Sequence, residues 1–384
     1  MHFTRLKLKN WRNFTHVDLR LEDRLFITGP NASGKSNLLD AFRFLRDIAK
    51  SGGGLQQAVD ERGGLSKLRC LAARRDPHVE IEVELENGSG QETISWRYSI
   101  GIKQETRGKR RILLTHEKVV KNDDTILDRP DDEDRSDDFR LTETHLEQIS
   151  ANRKFRSIAE VFQKILYLHL VPQLLKFPQL ANRDAAGEDP FGIKFLDRLM
   201  ETPEKTRRSR LRKIEKALIH AVPELQELRD VRDEKGVPHL EAVYQHWRPK
   251  AGRQREDQFS DGTLRLIGLL WTLLEGESLL LLEEPELSLH SSIIAKLPEL
   301  IWKMQRARKR QVILSSHSSE LLGNRGISPD EVALLKPRGS EGTEVALASD
   351  KEEIRLLLEK GMSLADVVLP MTSPQSASQL SLFD

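Results

Sequence analysis

The segment that most limits what this chain can fold into is Gly29-Pro30-Asn31-Ala32-Ser33-Gly34-Lys35-Ser36. It follows the apolar run Leu25 to Ile27 and precedes a helical pattern from Asn37 to Ala49. The eight residues fit GxxxxGK[ST] in the strand, loop, helix setting that this pattern requires. The glycines let backbone N–H groups turn toward phosphates, and the helix N-terminus adds partial positive charge. Lys35 then reaches the outer phosphates, and the Ser36 hydroxyl is suited to Mg²⁺. A chance glycine-rich turn is the bland alternative, and the strand and helix on either side argue against it.

Three further segments follow in a consistent order. Leu279 to Leu282 is an apolar strand that ends in Glu283-Glu284-Pro285-Glu286. Buried strands of α/β sheets deliver side chains at their carboxyl ends into the ligand crevice. Glu283 is therefore read as the Mg²⁺ partner and Glu284 as the base that orients water. An acidic run after a strand is often just a favourable helix start; the phosphate cradle tips the reading toward a site. Val312-Ile313-Leu314-Ser315-Ser316-His317 is a second apolar strand with a polar tip, placing His317 within reach of a γ-phosphate. Phe259-Ser260-Asp261-Gly262-Thr263 introduces the amphipathic pattern Leu264 to Leu274. Ser260 suits a helix N-cap, and the same geometry lets it bind a phosphate.

The rest of the chain organises around these points. Alternation with a period near two runs through Val79 to Leu85 and Ile94 to Ile102, across an Asn87-Gly88 turn signal, as in an antiparallel meander. Residues 128 to 138 contain seven acids among eleven residues and no apolar side chain, which reads as an exposed loop and a domain boundary. Helical spacing follows in Ile158 to Leu170, Phe195 to Leu199 and Leu211 to Val222. The expected class is α/β, with a phosphate-loop core from residues 1–60 and 256–370. An antiparallel β subdomain is expected at 61–140, a mainly helical insertion at 141–255 and a flexible tail at 371–384.

Composition narrows the function classes. Lys and Arg number 61 against 60 Asp and Glu, so any attraction to nucleic acid must come from local patches. A single cysteine, Cys70, allows no intramolecular disulfide, and the opening residues lack the apolar core of a signal peptide. Leu264 to Leu282 is interrupted by Arg265, Glu275 and Glu277, so no membrane span is expected. The expected setting is cytoplasmic.

Together GPNASGKSN, FSDGT, LLLLEEPELSLH and LSSH resemble the ABC-type ATPases of the SMC, RecF and OLD branch, in particular their compact AAA-type members. The resemblance covers residues 3–60 and 259–322. It implies an ATPase head binding ATP and Mg²⁺ that forms a homodimer when ATP binds. Nucleotide contacts would fall on Gly29, Asn31, Gly34, Lys35, Ser36 and Asn37. The metal would be held by Ser36 and Glu283, with Glu284 as catalytic glutamate and His317 as switch histidine. Ser260 and Gly262 would act across the dimer on the partner's γ-phosphate. Lys9-Asn10-Trp11-Arg12-Asn13-Phe14 looks like the family's first-strand motif, which puts Arg12 near the nucleotide. Glu283 stands where many relatives have Asp, and Asp261 replaces a first glycine. Gln56 or Gln57 is the candidate Q-loop glutamine. Nothing sustains heptads, which excludes SMC-like tethering through a long coiled coil. No paired Asp-x-Asp follows His317, so no Toprim-type nuclease is expected.

Two features point to partners. Lys205, Arg207, Arg208, Arg210, Arg212, Lys213 and Lys216 fall within twelve residues, and Arg248, Lys250, Arg253 and Arg255 precede Phe259. Such runs give salt-dependent DNA binding or are simply solvated faces. Gln379-Leu380-Ser381-Leu382-Phe383 matches the pentapeptide with which many bacterial proteins bind the β sliding clamp, with Gln379, Leu380, Leu382 and Phe383 as anchors. The resulting expectation is a bacterial, nucleoid-associated, dimeric ATPase acting on or near DNA in repair, replication or mobile-element defence. The alternative is a regulatory ATPase that controls a separate effector protein in a defence or toxin module without touching DNA.

Overall fold

The computed structural model describes residues 1–74, 76–88, 93–105, 109–177, 189, 191–246 and 252–372. The chain begins β1 (His2–Trp11), β2 (Phe14–Arg20), β3 (Arg24–Thr28), α1 (Lys35–Ala49), α2 (Leu55–Asp60) and α3 (Leu65–Leu68). It continues β4 (Val79–Asn87), β5 (Ile94–Gln104), β6 (Ile112–Lys121), β7 (Asp124–Arg129), α4 (Asp132–Ser136) and α5 (Arg156–Gln163). Next come β8 (Leu166–Leu168), α6 (Pro172–Lys176), α7 (Phe195–Glu201), α8 (Glu204–Leu218), β9 (Leu225–Arg232), β10 (Pro238–Tyr244) and β11 (Arg253–Arg255). The last third holds α9 (Asp261–Leu274), β12 (Leu280–Glu283), α10 (Ser291–Ile294), α11 (Leu297–Arg308), β13 (Val312–Ser315) and α12 (Ser319–Leu322). It closes with β14 (Val332–Pro337), β15 (Thr343–Leu347), α13 (Glu352–Glu359) and α14 (Leu364–Thr372).

A six-stranded sheet in the order β15-β14-β3-β13-β12-β8 carries the site; it is parallel except for its edge strand β15. Its strands are buried on both faces, which is why they read as continuous apolar runs. Successive residues feed two different cores, as the period of two requires. Leu25, Ile27, Leu281 and Ile313 join the core beneath α1, α5 and the antiparallel sheet. Phe26, Leu280, Leu282, Val312 and Leu314 join the core under α8, α9 and α11. At about 25 cal/mol per Å² of apolar surface removed from water, each such side chain contributes roughly 1.5–3 kcal/mol before chain entropy. The parallel strands are thus clamped from both sides, and their carboxyl ends are held in fixed register.

The antiparallel sheet has the order β2-β1-β4-β5-β6-β7. The acidic side chains of β4 are neutralised across the strands: Lys7 reaches Glu82 at 2.7 Å, Lys9 reaches Glu80 at 2.9 Å and Arg97 reaches Glu84 at 3.3 Å. No helix among the described residues is long and apolar enough to cross a membrane.

Three segments depart from the sequence reading. The acid-rich stretch 128–138 is mostly exposed, as its composition suggests, but it is pinned to the core at two buried residues, Arg129 and Asp134. Arg129, 2% exposed, takes Asp134 at 2.8 Å and Glu117 at 3.1 Å, and both carboxylates are buried. Asp131 caps α4 through the Asp134 N–H, so part of the acidity serves a helix start and part a buried guanidinium. Residues 166–168, expected in a helix, form β8 beside β12, because a short apolar run fits a buried strand as well as a helix. The insertion also contains an antiparallel sheet β11-β10-β9 besides its helices.

Candidate functional site

Four loops meet at the carboxyl ends of the parallel strands. The first runs from β3 into α1. Gly34 sits at φ 100° and Ala32 at φ 61°, left-handed conformations that bend the loop around its own N–H groups. A Cβ on Gly34 would lie 2.3 Å from the Asn13 amide, and one on Gly29 would lie 2.7 Å from the Leu335 carbonyl. Both glycines are therefore demanded by close approach. Lys35 is 8% exposed and its Nζ donates to the carbonyls of Gly29 at 3.1 Å and Pro30 at 3.2 Å, folded over the loop it would share with phosphates. Burial pushes this amine below its ordinary value, and Glu284, Glu283 and Glu286 pull it part of the way back.

The second loop follows β12. Glu283 accepts the Ser36 hydroxyl on one oxygen and the Tyr167 hydroxyl on the other, while His169 Nδ1 lies 3.3 Å from the Glu283 carbonyl. Ser36 and Glu283 thus form the hydroxyl and carboxylate pair that a hard divalent cation takes alongside phosphate oxygens and water. Among the described residues no group of three or more His, Cys, Asp or Glu could hold a metal. Such a pair fits Mg²⁺ presented with a nucleotide rather than an all-protein cage. The glutamate is long enough to reach Ser36.

Glu284 itself adopts φ 43°, a left-handed backbone that costs a non-glycine residue energy, and its N–H bonds the Ser315 carbonyl at 3.1 Å. Its side chain faces the third loop: His317 Nε2 is 3.6 Å from Glu284 Oε1. Burial, and then Lys35, lower the His317 imidazole below its usual value, which favours the neutral ring near pH 7. Beneath the pair, Glu286 Oε1 accepts the Ser316 hydroxyl at 2.5 Å and the His317 N–H at 3.2 Å, while its other oxygen has no partner. Burial raises this carboxyl.

The fourth loop is the approach to α9. Ser260 is exposed and caps the helix by accepting the Thr263 N–H at 3.1 Å. Asp261 is held by Gln173 at 2.5 Å and Lys176 at 2.7 Å. A Cβ on Gly262 would meet the Ser288 carbonyl at 2.5 Å, so this glycine lets α9 pack on the loop after β12.

Lys35, Ser36, Glu283, Glu284 and His317 are thus brought together. Ser260 and Gly262 bond and pack elsewhere, on Thr263 and Ser288. Arg12 lies beside α1, its guanidinium engaged by Asp40 at 2.8 Å, a carboxylate that Arg62 also holds at 2.9 Å. Asn31 is exposed on the loop, and Asn37 donates to Asn13 at 2.8 Å. Asn13, quoted in the first-strand motif but given no role there, also donates to the Ser33 carbonyl at 2.6 Å and so braces the loop from the turn between β1 and β2. Tyr167 and His169 were missed too; the polar members of the apolar run Leu166 to Leu170 were their only signal. Gln56 turns away, donating to the carbonyls of Ile112 at 3.0 Å and Thr142 at 2.7 Å, and Gln57 bonds Glu61.

Of the basic residues, Arg207 is turned inward onto Asp230 at 2.9 Å and Arg210 onto Trp271. Lys205, Arg208, Arg212, Lys213 and Lys216 remain along an open groove of about 740 Å³. Arg253 and Arg255 lie on β11. Arg248, Lys250 and the tail motif Gln379, Leu380, Leu382 and Phe383 fall outside the described residues.

The profile of a family described as "AAA domain, putative AbiEii toxin, Type IV TA system" matches residues 25–323, and that of the "P-loop containing region of AAA domain" matches residues 3–45. Two curated proteins, both named DNA replication and repair protein RecF, resemble parts of the chain. The one from Roseiflexus castenholzii is 30% identical over 102 residues, 24% of this chain and 26% of its own. The one from Bacillus mycoides is 46% identical over 52 residues, 13% and 14% of the two chains. The chain thus aligns with about a quarter or less of the length of these relatives. Among solved structures, an Smc head bound to the C-winged helix domain of ScpA is 14% identical, covers 94% of this chain and all of its own, and gives a TM-score of 0.54. The Pyrococcus furiosus Smc head with an extended coiled coil, bound to the C-terminal domain of ScpA, gives 0.51 at 13% identity, with 94% of this chain and all of its own covered. At such identities the likeness establishes the fold. It is the SMC-head type of α/β fold, with the mixed sheets and helices expected of an ABC-type P-loop ATPase.

Proposed function

We propose, on the premise that this chain belongs to the family described as "AAA domain, putative AbiEii toxin, Type IV TA system" and is a P-loop ATPase related to SMC and RecF proteins, that it is an ATP-driven dimeric switch acting on or near DNA. The observation that carries this reading is the division within the site. Lys35, Ser36, Glu283, Glu284 and His317 gather on one side, while the exposed Ser260 of the same chain is engaged with its own helix. Ser260 and Gly262 of a second copy then complete the γ-phosphate site, and hydrolysis releases the pair. In this reading Glu284 orients the attacking water, His317 senses the γ-phosphate, and Ser36 and Glu283 hold Mg²⁺.

The DNA assignment draws on the RecF likeness and on the exposed Lys205, Arg208, Arg212, Lys213 and Lys216, which suit phosphate contacts. Recruitment to the β sliding clamp through residues 379–383 rests on the sequence motif. Homodimerisation on ATP and a nucleoid location belong to the same proposal. The test is ATP turnover with single-stranded, double-stranded and no DNA at two salt concentrations. Several-fold stimulation that fades with salt supports the reading. The family description favours one other: a regulatory ATPase that restrains a toxin-like effector. Turnover indifferent to every DNA, together with stable co-purification of such an effector, would decide for it.

A further inference from the structure

Past the end of α9, opposite Ser260, Arg198 of α7 and Arg310 before β13 meet Glu275, the first at its carboxylate and the second at its carbonyl. Arg210 of α8 and Arg308 at the end of α11 add positive charge to the same corner. Arg310 is the rear wall, 3% exposed. It caps the helix, giving Nη1 to the carbonyls of Thr272 at 2.5 Å and Glu275, and Nε to that of Ser278 at 2.9 Å. Its Nη2 is buried without a partner. Arg210 lies over the Trp271 ring at 5.2 Å, with its Nε unpartnered. Arg198 leaves both Nε and Nη2 unpartnered. Its Nη1 stands 3.8 Å from Glu275 Oε2, outside hydrogen-bond range, and that oxygen too has no partner.

Among the described residues, the positive charges of this corner therefore outnumber the Glu275 carboxylate, and four buried guanidinium nitrogens have no hydrogen-bond partner. Buried charge is normally paired, and orphaned buried donors signal an ion or water that belongs there. Burial, together with the crowding of Arg308 and Arg210, pushes the Arg310 guanidinium down to about 10 despite Glu275. The cluster opens to solvent at Arg198 and Glu275, whose side chains are 23% and 25% exposed. Guanidinium forks match tetrahedral oxyanions in shape and charge.

We propose that Arg198, Arg210, Arg308 and Arg310 form a second anion site, separate from the phosphate loop, that takes a phosphate dianion, either free or at the end of a nucleic-acid strand. The anion accepts from Arg198 Nε and Nη2, Arg210 Nε and Arg310 Nη2, and supplies the missing counter-charge. The site does not depend on the DNA reading above.

The experiment titrates inorganic phosphate into the full-length chain by calorimetry at fixed ionic strength. Lys35→Ala is present throughout so that the phosphate loop does not contribute. One saturable site is expected. Arg198→Gln with Arg210→Gln is expected to weaken it at least tenfold, with circular dichroism reporting the fold. Glu275→Gln removes the competing negative charge and is expected to tighten binding several-fold, a gain that misfolding cannot imitate. No saturable binding, or binding unmoved by these substitutions, overturns the proposal. Competition by a 5′-phosphorylated oligonucleotide but not by its 5′-hydroxyl twin assigns the site to strand ends; competition by neither assigns it to the free anion.

Discussion

Ser36, the last residue of the phosphate loop, gives its hydroxyl to Glu283, 247 positions further along the chain. The bond exists because β3 and β12 both flank β13 in one parallel sheet, so that their carboxyl ends open onto the same crevice. Tyr167 holds the other oxygen of the same carboxylate from the next strand. The Glu283 carboxylate is therefore pre-oriented from two directions.

Lys35→Ala and Glu284→Gln are expected to fail differently. Removing the buried ammonium deletes positive charge from the phosphate site and is expected to lower ATP affinity by about tenfold or more. Glu284→Gln keeps the shape, loses the base and lowers turnover by about 10²-fold or more with ATP still bound. Light scattering should then show an ATP-trapped dimer. Normal hydrolysis by Glu284→Gln removes that residue from the mechanism.

The proposed sharing of each site between two chains predicts complementation. Ser260→Arg and Lys35→Ala chains are each expected to be inactive as homodimers, and mixing them restores one intact site per heterodimer. Absence of recovered turnover in heterodimers verified by native mass spectrometry argues for sites complete within one chain.

Glu286 holds the turn that carries His317, through the Ser316 hydroxyl and the His317 N–H. Glu286→Ala is expected to leave ATP binding intact and cut kcat about tenfold, the order of a displaced catalytic group. Glu286→Gln keeps an acceptor and restores most of the rate. Equal loss in both variants, or loss of nucleotide affinity, contradicts a positioning role.

The buried Arg129–Asp134 pair is expected to make stability depend on pH in acid. Burial alone would raise the Asp134 carboxyl, but the Arg129 hydrogen bonds and the Asp131 N–H outweigh it and hold the group well below its usual 3.8. A depressed carboxyl contributes stability that is present above the unfolded value and is lost as pH falls through the folded one. Asp134→Ala leaves Arg129 short of a partner and is expected to cost about 3–5 kcal/mol near neutral pH. The gap between variant and parent in urea melts should narrow as pH falls below 3.8; a pH-independent gap counts against the electrostatic account.

A peptide of residues 373–384 is expected to bind the β sliding clamp with micromolar affinity, since burying two leucines and a phenylalanine outweighs ordering a short tail. Replacing Leu382 and Phe383 by Ala is expected to abolish binding and leave basal ATPase activity unchanged in the full chain. Indistinguishable calorimetric traces from the two peptides reject the motif.

Most of the candidate site was legible in one dimension. The loop from Gly29 to Ser36, the carboxylates after Leu282 and the tip at His317 each sit at the end of an apolar run. In a parallel sheet, strand ends of one polarity open onto one crevice, so local pattern plus polarity suffices to assemble them. What remained hidden depends on partners far away in the chain. Within the acidic stretch 128–138, Asp134 looks as solvated as its neighbours until Arg129, which also holds Glu117, is brought to it. Leu166 to Leu168 has no intrinsic mark of a strand, because an apolar run that short is decided by the neighbour it pairs with, here β12. Arg207 and Arg210 read as part of a basic face, yet the packing of α8 turns them onto Asp230 and Trp271. Sequence by itself determined the chemistry, since residue type and local period are written along the chain. Tertiary structure alone decided which charges are buried and what they meet, since burial and pairing depend on contacts between residues distant in sequence.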